Sequence, residues 1–249
     1  MSDAIIAAAV AAATSLLVAV IGPWIARSYE TTRERRVLIS AVNLKHLAPL
    51  RQQLAEAAFR HRRVLDDFRV GGRNLAAGLD NVSDVHTKPL DWFAGEGCFL
   101  MSTSYYTARL FAEIVRLGDA YPYLRLDDKR KDGELTALAL RVRLAFAGEG
   151  GVWFAIQAAI GDDMIGVDGR LAGYADFCRA VQDQQRGVWY RQLIGLYRAL
   201  ADGQGADRIP RIVAAMENLS HLLDAAVGSS ASVSDRLRLE DEEQASRDG

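Results

Sequence analysis

From Ala4 to Ala26 the chain runs for 23 residues without an ionisable side chain. As a helix rising about 1.5 Å per residue, that length covers the roughly 30 Å hydrocarbon core of a bilayer. Ile5, Ile6, Val10, Leu16, Leu17, Val18, Val20, Ile21 and Ile25 carry its hydrophobicity, and nine alanines dilute it. After it, apolar residues recur at helical spacing from Tyr29 to Phe68: Val37, Ala41, Leu44 and Ala48, then Leu50, Leu54, Ala57, Leu65 and Phe68, with a break at Pro49. Gly71 and Gly72 stop that helix, and the stretch to Gly97 reads as irregular. Periodicity returns from Leu100. Tyr105, Leu110, Ile114 and Leu117 form one stripe, closed by Gly118 and Pro122, and the charged run Asp127 to Gly133 reads as a loop. Glu134 to Phe146 is the next helix. The apolar stretch within Ala147–Gly161 is too short to span a bilayer and reads as a fully buried helix. Leu171–Val181, Trp189–Ala201 and Ile209–Val227 complete the set, the last with Ile209, Ile212, Val213, Met216, Leu219, Leu222 and Leu223 in a 3.6-residue period.

No segment of the soluble part alternates like a strand. The expected fold class is therefore all-α, an N-terminal transmembrane helix followed by a helical cytoplasmic domain. The expected organisation is a transmembrane anchor at 1–27, basic exit or stalk helices at 28–69, a helical domain at 70–227, and a disordered acidic tail at 228–249, too polar to pack. Within the stalk, Leu54, His61 and Phe68 lie seven apart, but packing against the domain's own helices explains them better than a coiled coil.

Charge orients the anchor. Asp3 is the only charged side chain before it, whereas Arg27, Arg33, Arg35 and Arg36 follow it, an excess that predicts an outside amino terminus and a cytoplasmic body. Trp24 falls at headgroup level and Pro23 would kink the helix as it leaves the bilayer. Trp24, Arg27, Arg33, Arg35 and Arg36 are thus the candidate membrane-interface residues, and the expected location is the inner membrane, crossed once. A cleaved secretory signal fits less well, because the basic n-region is missing. From Arg27 to Arg63 nine basic residues stand against three acidic ones, which suits anionic lipid headgroups at the cytoplasmic surface. Glu30, Glu34 and Glu56 interrupt that run, so nucleic acid is not an expected partner. Ala7, Ala11, Ser15 and Ala19 place small residues along one face of the anchor, where the helix of a second copy could approach closely.

Chemistry is scarce. Cys98 and Cys178 have no second Cys or His at metal-ligand spacing and sit among apolar residues, as packed thiols do. His46, His61, His86 and His221 are scattered over different elements. GDDMIGVDG and DDKRKDG lack the ligand positions of a calcium loop, and GEGG lacks the GK[ST] of a phosphate loop. No metal site or cofactor is expected. If the protein is an enzyme or a toxin-like effector, its site must come from sequence-distant residues, for which Arg143, Glu149, Asp162, Asp163 and Asp176 are the candidates.

The residues Tyr105, Tyr106, Trp153, Phe154, IGDDMI at 160–165, GYADFC at 173–178 and LYRAL at 196–200 form an ordered series over about half the chain. In this series the chain resembles a family of short bacterial proteins with a single amino-terminal span and no assigned function. The resemblance implies a membrane-anchored helical domain and transfers no catalytic residue. Function is then expected to be binding, as a scaffold, regulator or sensor at the inner membrane.

Overall fold

The computed structural model describes residues 45–70, 74–75, 78–120 and 129–225. The chain divides between Val42 and Asn43, and every described residue belongs to the second unit. The expected anchor at 1–27, its interface residues Trp24, Arg27, Arg33, Arg35 and Arg36, and the tail at 228–249 lie outside the described residues. Among the described residues, no helix is long and apolar enough to cross a membrane.

The described residues are all-α. Helix α1 covers 45–69, α2 Leu90–Ala94, α3 Cys98–Ala120, α4 Lys129–Phe146, α5 Phe154–Met164, α6 Tyr174–Gln182, α7 Gly187–Ala201 and α8 208–225. A 3-10 turn, Val82–Thr87, precedes α2. The expected irregular stretch before Gly97 therefore holds two short helical pieces. The 3-10 turn starts from Asn81, whose side chain accepts from Ser83 N at 2.9 Å while Asp84 accepts from Asn81 N at 3.1 Å, a reciprocal cap written in the sequence as N-V-S-D.

Helix α3 is the axis. Its contacts reach α2, α5, α6 and α7, and its buried residues cover most of its circumference rather than the single expected stripe. Thr103, Ser104 and Thr107 are fully buried there because each hydroxyl donates to the carbonyl four residues back, at 2.7, 3.0 and 2.9 Å. Helix α5 lies close against α3 because Gly161 faces Phe111 and Ala112: a Cβ at that position would meet Phe111 O at 3.0 Å and Ala112 Cα at 3.2 Å. This contact also corrects the expectation for α5. The helix is buried on one side only, through Gln157, Ile160, Gly161 and Met164, while Trp153 and Phe154 at its start are exposed.

Three further boundaries differ from the sequence pattern. Pro49 lies inside α1 without breaking it, since Leu47 and Leu50 on either side are fully buried and their packing outweighs one missing backbone donor. Helix α4 starts at Lys129, so KRKDG belongs to the helix rather than to a loop. The buried positions of α1 run Leu47, Leu50, Leu54, Ala57, His61 and Val64, leaving Leu65 and Phe68 only partly covered. In α8 the expected stripe from Ile209 to Leu223 is buried as a whole.

Helices α1 and α8 are tied by Arg62 to Glu217 at 2.7 Å and by Arg51 to Asp224 at 2.5 Å. Both pairs are largely exposed, so each adds little stability. Arg60 of α1 is packed more tightly. Its guanidinium lies 4.1 Å from the centre of the Phe99 ring and donates to Phe99 O at 2.9 Å, to Thr103 Oγ1 at 3.0 Å and to Ser102 Oγ.

Candidate functional site

The five candidates for an enzyme site do not come together. Arg143 donates to Gln157 Oε1 at 3.2 Å and to Phe154 O at 3.0 Å, fixing α4 to the start of α5. Asp163 accepts from Arg186 at 2.8 and 3.0 Å and from the Tyr190 hydroxyl at 2.6 Å, joining the end of α5 to α7. Asp176 is exposed and pairs with Arg179 of its own helix at 2.5 Å. Glu149 and Asp162 are exposed, and Glu149 is touched through its backbone carbonyl by Arg208. Arg143 and Asp163 thus do structural work in two different places, and Asp176 pairs only within its own helix.

The two cysteines flank one hydroxyl. Tyr174 donates to Phe93 O at 2.8 Å, with the Cys98 and Cys178 thiols beside its ring oxygen. Burial pushes the Cys178 thiol up to about 11, so it stays protonated and inert, while Cys98 is half-buried. Tyr105, Tyr174, Phe177 and Tyr190 continue from there as a chain of aromatic contacts with ring centres 5.2 to 5.6 Å apart. The aromatic residues of the YY and GYADFC segments are thus packing residues of the α3, α6 and α7 contacts.

Polar chemistry gathers elsewhere, in an open cleft of about 540 Å³ between α1, α3 and the connection from α5 to α6. Helix α3 supplies Arg109, Glu113 and Arg116, which at intervals of four and three share one face. Helix α1 supplies Pro49, Gln52 and Gln53. The third wall is a tight hairpin. Ile165 and Leu171 form an antiparallel bridge, Gly166 N donates to Arg170 O and Gly169 N to Gly166 O, both at 2.8 Å. Gly169 has a φ of +73°, a conformation that glycine adopts without strain. Two side chains of α3 pin this hairpin in place: Arg116 donates to Gly169 O, and the Tyr105 hydroxyl donates to Ala172 O at 3.3 Å.

The charges of the cleft are held in fixed positions. The Tyr105 hydroxyl accepts from Arg109 at 3.1 Å, which aims that guanidinium. Glu113 is only 3 % exposed and accepts from Arg116 at 2.9 Å. Burial raises the Glu113 carboxyl above its ordinary range, against the opposing pull of Arg116 and Arg109. Desolvation therefore outweighs pairing, and the fold keeps this carboxylate at a cost. Burial, and after it the charges of Lys45 and Arg116, hold the His46 imidazole below its usual value. Arg170 stands at the rim, 89 % exposed, with Asp168 at 3.7 Å.

Two buried polar atoms of the cleft residues lack any hydrogen-bond partner, Gln53 Oε1 and Arg109 Nε. An orphaned acceptor costs about 1–3 kcal/mol if nothing fills it, a cost that a donor reaching Gln53 Oε1 would recover. Sequence reasoning missed this cleft because its walls come from residues 49–53, 109–116 and 169–171. The one readable signal was the Arg109, Glu113, Arg116 spacing on a helix otherwise apolar around it. Among the described residues, no group of three or more His, Cys, Asp or Glu side chains could hold a metal ion. No protein-family model matches the chain, and no curated protein and no solved structure is detectably similar to it.

Proposed function

We propose that this protein is anchored in the inner membrane by residues 4–26 and acts by binding a small anionic ligand in the cleft between α1, α3 and the 165–171 hairpin. The observation that carries the binding half is the buried Glu113 set between Arg116 and Arg109, beside the orphaned Gln53 Oε1. An arrangement that costs stability, opens to solvent and contains fixed guanidinium groups is built for recognition. The cleft offers no nucleophile with an adjacent base, so binding fits it better than covalent catalysis. The anchor half is supported by the 23 residues free of ionisable side chains and by the basic cluster Arg27, Arg33, Arg35 and Arg36 behind them. On this reading Trp24 and those arginines meet the headgroups, and the helical domain reports on a ligand at the cytoplasmic face as a sensor or regulator.

Carbonate extraction of cell membranes, with protease treatment of right-side-out and inverted vesicles, tests the anchor on a full chain tagged at its carboxyl terminus. The tag should stay in the pellet and be digested only in inverted vesicles. Release by carbonate would overturn the anchor. Calorimetric titration of the detergent-solubilised full chain with glutarate and with ethyl phosphate tests the cleft. Binding that Arg109→Gln weakens at least tenfold supports it, and binding that this substitution leaves unchanged refutes it.

A further inference from the structure

Resting on that reading of the cleft, we infer that its ligand is a small zwitterion: a carboxylate or phosphate group carrying an ammonium group a few bonds away. The anion half follows from the guanidinium groups. Arg109 reaches the cleft with an unpartnered Nε, and Arg170 at the rim is held only loosely by Asp168 at 3.7 Å. Guanidinium forks match the paired oxygens of carboxylate and phosphate, and Arg109 and Arg170 come from two different elements of the cleft lining.

The ammonium half follows from the acceptors. Gln53 is 3 % exposed with an unpartnered Oε1, and Glu113 is equally buried with Arg116 on its Oε1. A ligand bearing only negative charge would satisfy Arg109 and then press its oxygens toward the Glu113 carboxylate, leaving Gln53 Oε1 orphaned. A ligand bearing only positive charge would satisfy those acceptors and meet Arg109, Arg116 and Arg170. A molecule with both groups pairs each with its complement and removes both orphans. Counting Arg109, Arg116 and Arg170 against Glu113 and Asp168, the site keeps one net positive charge, so the anionic half of the ligand dominates. A volume of about 540 Å³ suits a small molecule and excludes a folded polymer.

Two matched pairs of probes test this on the full chain in detergent: glutarate against L-glutamate, and ethyl phosphate against phosphoethanolamine. Within each pair the oxyanion is the same and only the ammonium differs. In at least one pair the ammonium-bearing member should bind about tenfold or more tightly, the size of one charge-assisted hydrogen bond. Glu113→Gln should bring that ratio to within about threefold of one, since the carboxylate is what reads the ammonium. Gln53→Met, which removes the orphaned acceptor at nearly the same volume, should lower the ratio as well and carries the test if Glu113→Gln disturbs the thermal melt. Equal affinities within both pairs, or a preference that neither substitution reduces, overturn the zwitterion and leave anion binding standing. Binding of none of the four probes overturns both readings.

Discussion

The Tyr197 hydroxyl lies 2.8 Å from His61 Nε2, and neither residue has any exposed surface. On the other side of the imidazole, Nδ1 is 2.7 Å from Ala57 O, so it carries the proton and Nε2 accepts from Tyr197. Thr107 Oγ1 lies 2.6 Å from the same hydroxyl and extends the network to α3. The network joins α1, α3 and α7 through a neutral histidine, and burial holds that imidazole down to about 4.

The folded value lies below the ordinary 6.5, so the unfolded chain takes up a proton first as pH falls. His61 therefore contributes stability that is present above about pH 6.5 and is lost progressively down to about pH 4, on the order of 3 kcal/mol. Urea midpoints at pH 7, 5.5 and 4 should fall more steeply for the wild type than for His61→Gln; parallel slopes would contradict the buried neutral imidazole. Tyr197→Phe, which leaves Nε2 unpartnered, should cost about 1–3 kcal/mol at pH 7.

Glycines in two helices should respond in opposite directions to the same substitution. Gly133 in α4 has open space where a Cβ would stand, so Gly133→Ala should stabilise by up to about 1 kcal/mol through helix propensity. At Gly161 the added Cβ would be 2.8 Å from Val115 Cγ2 and 3.0 Å from Phe111 O, so Gly161→Ala should destabilise by about 1–2 kcal/mol despite the same propensity gain. Thermal melts of both variants decide it, and a stabilised Gly161→Ala would mean that α5 can move off α3 freely.

Glu113 should behave as a functional residue rather than a structural one. Its carboxyl is raised in the fold, so the stability it contributes is present below the ordinary carboxylate range and is lost as pH rises through its folded value. At neutral pH its charge costs stability, and Glu113→Gln should leave the melting temperature unchanged or higher. A drop of about 4 °C or more, roughly 1–2 kcal/mol for a domain of this size, would show that the Arg116 pair outweighs desolvation after all.

Thiol labelling should separate the cysteines. At pH 8 a Cys178 held at about 11 is thiolate on the order of one part in a thousand and is 3 % exposed, so it should react only as fast as the domain opens. Cys98, half-buried, should react first. Rapid modification of Cys178 in the native chain would contradict its packing against Tyr174.

What the sequence made legible depended on how one-sided each helix is. Helix α8 buries one clean stripe, and Ile209 through Leu223 could be read directly. Helix α3 is buried nearly all round, yet Thr103, Ser104 and Thr107 read as polar because nothing in the pattern reveals that their hydroxyls turn back onto their own helix. The reverse holds for α5, whose apolar letters Trp153 and Phe154 face outward. The cleft was beyond reach for a different reason. Residues as far apart as Gln53, Arg109 and Arg170 meet only through the packing of α1 on α3 and the turn at Gly169, and neither event leaves a periodic trace.

The hairpin between α5 and α6 gives this architecture a replaceable part. Val167, Asp168 and Arg170 are exposed and bury nothing in the core, while the bridge at Ile165 and Leu171 and the Arg116 contact fix where the loop stands. Residues at those three positions can therefore drift, or be randomised in a library, without touching the helices that hold Arg109 and Glu113. Descendants of such a chain would diverge in what they recognise long before they diverge in how they fold.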